Sequence, residues 1–372
     1  MLHRVCASIN RRALQHNLAV ARAHAHTTKK GGKLLAVIKA NAYGHGLVPV
    51  AEALEAADMY GVTDIHEAER LRAAGTHKDI LILQGLISID DVARVGAGGF
   101  QVVIHRLQDL QWLESEFDRK PPRQPLTFWL KLQSGMGRLG IAPSEYAACY
   151  RALEAKPWAG TVIMMTHLAN ASLPDSALNN TQLQCFRQIE ASLRDLAPAT
   201  SIPSSSGLLL DIETHSTWVR PGIMLYGSSP FGWSDVGRRR EKFGLQAVMT
   251  LQARLISIEN FATGHNIGYN SQFVCPKPMR IGIASIGYAD GYPSHTPNGA
   301  PVEICGKRSC TVGRVSMDML TVDLSEIPEA QLGDAVTLWG DTVSIDEVAA
   351  HTGVISYNLT CSISARVPFL YN

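Results

Sequence analysis

Apolar runs of strand length alternate with helical segments along the first two thirds of the sequence, and this alternation limits the fold more than any other feature. Helical segments, such as Leu47–Ala57, Glu67–Ala74 and Gln182–Leu196, separate most of the runs. The eight candidate strands are Leu34–Ile38, Met59–Val62, Ile80–Leu83, Phe100–Ile104, Thr127–Leu132, Thr161–Met165, a weak run near Ser201, and Gly222–Tyr226. Eight such units predict an α/β fold, a (β/α)₈ barrel of TIM type. A doubly wound parallel sheet stays open, because the pattern does not give the strand order.

After about residue 238 the pattern changes to short β-branched and aliphatic runs separated by Gly, Pro, Asn and Asp. These runs are Ala247–Ile258, Met279–Ile286, Ser309–Leu324 and Ala335–Trp339. A chain of 372 residues with 46% hydrophobic content can bury two cores. We therefore predict a barrel domain over residues 1–238 and a mostly β C-terminal domain over residues 239–372.

The charge balance gives no basis for binding a polyanion. Lys and Arg number 34 and Asp and Glu number 33, a formal net charge of +1. The basic cluster at residues 238–240 has no aromatic residues interleaved with it and is typical of a solvated connection. Nucleic acid is therefore not an expected partner.

Membrane, secretion and metal signals are also missing from the sequence. The longest stretches without Asp, Glu, Lys or Arg, Pro157–Pro174 and Val348–Ala365, contain His, Asn, Ser and Thr, which are costly in lipid. The first twelve residues lack the pattern of a signal peptide. Seven scattered cysteines without a C-x-x-C pair, and histidines without H-x-x-x-H spacing, argue against a disulfide framework and a metal site. We expect a cytoplasmic protein without a metal or a membrane span.

A lysine ends the first strand-like run and is followed at once by small residues and glycines, in the segment Leu34–Gly46. In a barrel the carboxyl ends of the strands face the active site, and a lysine partly removed from water has a lowered pKa that favours Schiff-base chemistry. The alternative is a strand-end lysine whose amine extends to solvent. The position of Lys39 alone supports both interpretations equally, and the glycines favour a functional one.

A second motif, Gly135-x-Gly137-x-x-Gly140, matches a dinucleotide-binding pattern and follows a predicted strand. A dinucleotide fold would place it in the first strand and helix unit, with an acidic residue about 20 positions later. Here five strands come first, and Lys156-Pro157 stands near that distance. The motif is weak support for a dehydrogenase.

Ordered blocks of the sequence are similar to the alanine racemase family over nearly the whole chain. The blocks are Val37-Ile-Lys39-Ala-Asn-Ala-Tyr43-Gly-His-Gly, Lys131-Leu-Gln-Ser-Gly-Met-Gly-Arg138, Met164-Met-Thr-His167, Trp218-Val-Arg220-Pro-Gly222-Ile223, Gly268-Tyr269, Gly287-Tyr288-Ala-Asp-Gly-Tyr292-Pro, Gly313-Arg-Val-Ser-Met317-Asp318 and Arg366-Val-Pro. The resemblance implies a racemase that interconverts L-alanine and D-alanine with pyridoxal 5′-phosphate (PLP) as cofactor.

The resemblance also implies two bases on opposite faces of the alanine Cα. Lys39 would hold PLP and act on one face, and Tyr269, from the second subunit of a homodimer, would act on the other. Racemisation needs this arrangement, because one group in a fixed position serves one face only. A phenol with a pKa near 10 needs nearby cations or donors to act as a base, and Arg138 and His167 are the implied support.

The remaining roles follow from the same resemblance. Arg220 would donate a hydrogen bond to the pyridine nitrogen and leave it unprotonated, which weakens the electron sink and favours racemisation over transamination. Ser206 is the expected serine ligand of the phosphate, although Ser205 stands where relatives often have Asn, so the local alignment can shift by one. The implied phosphate ligands are Tyr43, Ser206, Tyr357 and the backbone N–H groups of Gly222 and Ile223. Arg138 and the N–H of Met317 would bind the substrate carboxylate, and Lys131 is a candidate for carbamylation.

Two alternatives are consistent with the same scaffold. One is a PLP carrier without catalysis, against which the C-terminal blocks around Tyr269 and Met317 argue. The other is a decarboxylase or a racemase of broader specificity. Because the reaction is reversible, the sequence leaves open whether the enzyme supplies D-alanine for the cell wall or degrades it.

Overall fold

The computed structural model describes residues 3–28, 32–212 and 216–372. The chain divides into two compact units. The barrel unit comprises Leu18–Ala42 and Gly46–Leu225, and the sheet unit comprises residues 3–17, 43–45 and 226–372. Strand β1 (Val5–Ile9) and helix α1 (Arg11–Thr28) precede the barrel in sequence.

Within the described residues, eight parallel strands close into a barrel in the order of the sequence. The strands are β2 (Lys33–Val37), β3 (Met59–Val62), β4 (Ile80–Ile82), β5 (Gln101–Ile104), β6 (Leu126–Lys131), β7 (Ala159–Met165), β8 (Ala199–Ser204) and β9 (Trp218–Arg220). Most of their side chains are buried, as parallel strands covered by helices require. Pairing of β2 with β9 closes the barrel. The barrel prediction is confirmed, and an open doubly wound sheet is excluded.

Helices follow most of the barrel strands. They are α3 (Leu47–Ala53), α4 (Ile65–Ala73), α5 (Asp90–Gly98), α6 (Leu107–Phe117), α7 (Pro143–Glu154), α8 (Ala177–Ser192) and α9 (Ser205–Leu209), and a left-handed turn, α2 (Lys39–Tyr43), precedes them. Helix α4 begins after Asp64, whose carboxylate accepts hydrogen bonds from the N–H groups of His66 (3.0 Å) and Glu67 (3.1 Å). Helix α7 begins on Pro143, whose missing N–H is not needed in the first turn.

The strand predicted at Gly222–Tyr226 is wrong. The last barrel strand, β9, ends before Pro221, and Ile223–Tyr226 forms a 3₁₀ turn. Proline has no N–H for a central strand ladder, so the shorter run before it pairs instead. The shift places Gly222 and Ile223 in a loop at the carboxyl end of β9.

The sheet unit is mostly β, as predicted. Its remaining elements are β10 (Met249–Phe261), β11 (Asn266–Ile267), β12 (Phe273–Val274), β13 (Met279–Ala284), β14 (Pro301–Ile304), β15 (Lys307–Val312), β16 (Leu320–Asp323), β17 (Ala335–Trp339), α10 (Ile345–Thr352), α11 (Ser356–Cys361) and β18 (Phe369–Tyr371). The main sheet has the order β13-β16-β15-β14-β17-β10-β1-β18, and β10 also pairs with β13. The single run predicted at Ser309–Leu324 is two strands, because the chain turns at Gly313 (φ 72°).

Strand β1 belongs to this sheet although it precedes the barrel in sequence. It pairs antiparallel with β10 and parallel with β18. Its buried residues alternate with partly exposed ones, the pattern of a strand with one face on a core. Among the described residues, no helix combines the length and apolar character needed to cross a membrane.

Candidate active site

Lys39 lies where the sequence predicts it, just beyond the carboxyl end of β2. The backbone at Ala40, Asn41, Ala42 and Tyr43 is left-handed, with φ between 51° and 56°. Non-glycine residues rarely adopt this conformation, and runs of them are rarer still. Two local bonds close the turn, from Ala42 N to Ile38 O (2.9 Å) and from Gly46 N to Asn41 O (3.0 Å). Such strained backbone is typical of functional sites.

Arg220 ends β9 and is 5% exposed. Its guanidinium donates to the Ser201 hydroxyl, to Thr166 O (2.7 Å) and to Ile202 O (3.1 Å). Burial lowers the pKa of Arg220 to about 10, so the group stays protonated near neutrality. Bonds to neutral oxygens on neighbouring strands fix a cation in the barrel without neutralising its charge.

His167 follows β7 and lies beside this guanidinium, with 3.5 Å between Arg220 Nη2 and His167 Nδ1. Burial, together with the positive charges of the surrounding arginine and lysine side chains, lowers the pKa of His167 to about 3. The imidazole is therefore neutral at physiological pH.

Lys131 ends β6 with 8% of its surface exposed. Burial, together with the positive charges of Arg220, Arg138 and Lys39, lowers the pKa of its amine to about 8. Arg138 itself is exposed, in the loop that follows β6. A large fraction of Lys131 is therefore a neutral, nucleophilic amine at mildly alkaline pH.

The loop that carries Arg138 is held at its base and at its tip. At the base, Gln133 N donates to Ile141 O (2.9 Å) and Ile141 N donates to Lys131 O (2.7 Å). At the tip, Gln133 Oε1 accepts from the N–H groups of Gly137 (3.0 Å) and Gly135 (3.2 Å). The glycine motif is therefore a compact loop closed by Gln133.

A buried polar network connects this loop to the strand that precedes His167. The Ser134 and Thr166 hydroxyls lie 2.7 Å apart. Gln182, on α8, donates to Ser134 Oγ (3.1 Å) and to His167 O (3.0 Å), and its own oxygen accepts from Ala169 N (2.8 Å). Since Thr166 O also accepts from Arg220, the network joins the ends of β6, β7 and β9.

Ser205, which is 4% exposed, contacts the loop after β9. Its Oγ accepts from Gly222 N (2.9 Å) and Met224 N (3.4 Å). Ser206 is the next residue along α9 and is only partly buried. The hydroxyl that accepts from the Gly222 backbone is thus that of Ser205.

In the sheet unit, Tyr43 and Tyr357 belong to an aromatic cluster. The Tyr43 ring stacks on Tyr226 with 4.7 Å between centroids and lies 5.7 Å from the Tyr357 ring. Burial raises the pKa of Tyr43 well above its ordinary value, and burial together with the charge of Asp346 raises the pKa of Tyr357. Both phenols therefore keep their protons and can donate hydrogen bonds.

Tyr269 and Met317 lie on the surface of the sheet unit, with 66% and 54% of their areas exposed. Tyr269 begins a 3₁₀ turn after Gly268 (φ 74°). The backbone at Met317 is held by two bonds, from Tyr288 N to Ser316 O (3.0 Å) and from Ala289 N to Met317 O (2.9 Å). Exposure of a tyrosine and a methionine at such ordered turns is typical of a contact surface.

The structure brings together five of the predicted residues in the barrel unit, where their charges act on one another. They are Lys39, Lys131, Arg138, His167 and Arg220. Sequence analysis gave no role to Thr166, Gln182 and Ser201, which hydrogen-bond to Arg220 or His167. Hydroxyl and amide side chains are common in loops and helices, so these three residues had no distinct signal in the sequence.

Comparisons with known proteins show the family of the chain. The family model described as the alanine racemase N-terminal domain matches residues 9–230, and the model of the C-terminal domain matches residues 248–371. The alanine racemase of Pseudomonas taetrolens is 44% identical over 363 residues, 97% of each chain. A catabolic alanine racemase of Pseudomonas putida is 43% identical, again over 97% of each chain.

Solved structures give the same result. The crystal structure of a biosynthetic alanine racemase from Pseudomonas aeruginosa superposes with a TM-score of 0.91 at 38% identity, covering 100% of both chains. The structure of alanine racemase from Acinetobacter baumannii has a TM-score of 0.91 at 34% identity and the same coverage.

Fold and site together define an amino-acid racemase built from a (β/α)₈ barrel and a C-terminal sheet unit. The two family models, matched in order, cover most of the sequence. The chain belongs to the alanine racemase family. Its activity is the interconversion of L-alanine and D-alanine.

Proposed function

We propose that the chain binds PLP at the carboxyl ends of β2 and β9, through Lys39 and Arg220. The observation that supports this proposal most directly is the adjacency of the two strands. Val37, two residues before the lysine, donates to Pro221 O (3.0 Å), the residue after the arginine. A lysine for covalent attachment and a fixed guanidinium therefore lie on neighbouring strand ends, where barrel enzymes have their active sites.

The donors near Gly222 fit a phosphate group. The backbone of Gly222 and Ile223 follows Pro221 in a short turn, and the Ser205 hydroxyl lies against it. Hydroxyl and amide donors of this kind bind phosphate oxygens well. Because Ser205 Oγ accepts from Gly222 N, the Gly222 N–H would have to exchange this bond for one to a phosphate oxygen, and Ser206 remains the proposed serine ligand.

For Tyr43 and Tyr357 the proposed ligand is also the cofactor phosphate. Both phenols stay protonated because their pKa values are raised, so each can donate to an anionic oxygen. Phenolates would repel the same group. Their proposed role therefore depends on the burial that keeps them neutral.

When bound, PLP withdraws electrons from the Cα of an attached amino acid and makes its proton labile. Arg220 keeps its own proton, because a pKa of about 10 leaves it charged near neutrality. It therefore donates a hydrogen bond and supplies no proton to the ring nitrogen, which limits electron withdrawal and favours return of the proton to Cα. Lys39 moves the proton on one face of Cα.

For the opposite face we propose a homodimer in which the partner subunit's Tyr269 is the second base. The same surface would supply the partner subunit's Met317 N–H to the substrate carboxylate. Arg138, held in the loop closed by Gln133, is the proposed charge partner of substrate and phenolate. The exposure of Tyr269 and Met317 in a single chain supports this assignment.

Lys131 is the proposed site of carbamylation. Its buried amine has a pKa of about 8 and lies among positive charges. The neutral amine would add to carbon dioxide, forming an N–C bond and releasing one proton, and the product would be an anion beside Arg138. Intact mass in bicarbonate tests this: a mass equal to that of the bare chain would contradict it.

The proposed function is tested by a coupled assay of D-alanine formation with and without added PLP. Activity that depends on PLP and is absent in Lys39→Ala supports it. PLP binding without deuterium exchange at the alanine Cα in D₂O would favour a carrier, and release of carbon dioxide would favour a decarboxylase. The seven scattered cysteines, without a C-x-x-C pair, support a cytoplasmic location.

The second base is tested separately with Tyr269→Phe. Without Tyr269, L-alanine should keep its Cα proton. Lys39 should still exchange the Cα proton of D-alanine. The measurement is Cα deuterium uptake by each enantiomer before inversion. Equal residual uptake from both would contradict the two-base assignment.

A further inference from the structure

Among the described residues of the barrel unit, the left-handed turn after Lys39 is the longest run of non-glycine residues with positive φ. Ala40, Asn41 and Ala42 have both φ and ψ between 44° and 56°. In this conformation the Cβ of an L-residue crowds its own carbonyl, which is why glycine normally occupies it. A strained turn without glycine persists only where surrounding groups hold it.

Besides the two backbone bonds that close the turn, the carboxylate of Glu67, on α4, contacts its backbone. One oxygen, Oε1, accepts from Asn41 N (2.8 Å) at the middle of the turn. The other, Oε2, accepts from Thr63 N (2.9 Å), just after β3. One side chain therefore ties the turn that follows β2 to the end of the neighbouring strand.

This use of Glu67 differs from ordinary helix capping. A glutamate at the third position of a helix commonly accepts from the N–H of the capping residue. Here Asp64 caps α4 through its own carboxylate, and both oxygens of Glu67 point to backbone outside the helix. Capping does not account for Glu67.

We propose that Glu67 is a positioning residue for Lys39: its carboxylate holds the left-handed turn that directs the lysine to the cofactor. The proposal rests on the proposed function of Lys39. A charged acceptor suits this task, because a carboxylate can accept both N–H bonds at once. The negative charge also lies where two backbone N–H groups converge.

The test compares Glu67→Gln with Glu69→Gln. The amide introduced by Glu67→Gln can accept one of the two bonds, but its NH₂ would face the other N–H donor. Glu69, on the same helix, pairs with Arg94 at the surface and is the matched control. Glu67→Gln should weaken PLP binding to the apoprotein by about tenfold or more, and it should slow PLP attachment to Lys39 by about the same factor. This is a typical effect of losing a hydrogen bond to a charged group. Glu69→Gln should change both by less than about twofold.

A second substitution separates positioning from a simple loss of fold or charge. Glycine accepts left-handed backbone without strain, so Ala40→Gly should recover much of the attachment rate in the Glu67→Gln background. Attachment is measured by borohydride trapping and mass spectrometry of the Lys39 peptide. The melting temperature of the apoprotein serves as the folding control.

The outcomes are distinct. Slow attachment in Glu67→Gln that is rescued by Ala40→Gly supports the proposal. Equal behaviour of the Glu67 and Glu69 variants, or a defect that Ala40→Gly does not relieve, overturns it. Failure of the unmodified chain to bind PLP or to racemise alanine would instead overturn the proposed function.

Discussion

Two cations at the barrel strand ends are buried by different means. The Arg220 guanidinium donates to a hydroxyl and two carbonyl oxygens, which stabilise its charged form. The Lys131 amine has a lowered pKa of about 8, because burial disfavours its charged form. The barrel thus stabilises a permanent charge at Arg220 and only a conditional one at Lys131.

Replacing Lys131 with Met should stabilise the unmodified apoprotein near neutrality. A folded pKa of about 8, below the unfolded value of 10.5, means that the folded chain binds fewer protons between these pH values. The free-energy cost of burying the charged Lys131 amine is therefore complete below about pH 8, and it disappears as the pH rises towards 10.5. We expect a gain in unfolding free energy of about 2–3 kcal/mol at pH 7 and little at pH 10.5.

The measurement is urea unfolding of both chains at the two pH values in carbon-dioxide-free buffer. Lys120→Met, at an exposed lysine, is the control and should show no such pH dependence. If Lys131→Met changed the unfolding free energy equally at both pH values, burial of the Lys131 charge would not be what destabilises the folded chain.

The serine pair offers a second prediction at this scale. Ser206→Ala should weaken PLP binding by about tenfold to a hundredfold, the range for one hydrogen bond to a charged group. Ser205→Ala should weaken it less, because Ser205 Oγ contacts the Gly222 and Met224 backbone and is not the proposed phosphate ligand. Titration of the apoproteins by fluorescence measures both, and a larger loss in Ser205→Ala would move the serine role to Ser205.

The sequence predicts a functional residue best where an unusual residue type stands at the end of a strand. Lys39 is of this kind, since a charged residue at the end of an apolar run needs explaining, whereas the role expected of Arg220 came from the resemblance to the alanine racemase family. Ser205 and Thr166 were not separable from other hydroxyl residues, because their roles depend on which backbone atoms the fold brings near them.

At the level of elements, the loop after β6 depends on close approach of its two ends. Gly140 has φ 138°, and a Cβ there would lie 2.5 Å from Gln133 N and 2.8 Å from Leu132 C. Both atoms are backbone, so the clash cannot be relieved by a side-chain rotation. Gly137, in the same loop, also has positive φ (71°) but open space around it.

Gly140→Ala should therefore disrupt the loop, while Gly137→Ala should only strain it. We expect losses of unfolding free energy of about 2–4 kcal/mol and about 1 kcal/mol, respectively. Because the loop carries Arg138, the KM for alanine should also rise more in Gly140→Ala. Unfolding titrations and steady-state kinetics check both. Comparable losses in the two variants would show that backbone contact at Gly140 is unimportant.

Apolar runs predicted most of the barrel strands, because most of these buried strands are almost entirely apolar, whereas the polar β8 gave only a weak run. The error at Gly222–Tyr226 arose because that run is as apolar as its neighbours, whereas the missing N–H of Pro221 moves the strand to Trp218–Arg220. The left-handed turn after Lys39 has only a weak sequence signal, since Asn41 is of a type enriched at positive φ but Ala40 and Ala42 are not.

For the whole molecule, the proposed dimer predicts complementation between inactive chains. A mixed dimer of Lys39→Ala and Tyr269→Phe chains contains one site with both natural bases and one with neither. Random pairing of equal amounts yields half mixed dimers, so activity should recover to about one quarter of the unmodified level.

Co-expression with two affinity tags, followed by isolation of the mixed dimer, gives the direct measurement. The isolated mixed dimer should reach about half of the unmodified activity, one working site of two. Activity no greater than that of the two parents would show that each chain builds its site alone.

The position of β1 also affects how the chain folds during synthesis. The strand leaves the ribosome before the barrel, yet both of its neighbours, β10 and β18, are translated after it. Strand β1 therefore stays unpaired while the ribosome translates the entire barrel. During this period it can pair with the wrong strand. Slow codons or chaperones that protect nascent chains should therefore affect the yield of this protein most during that interval.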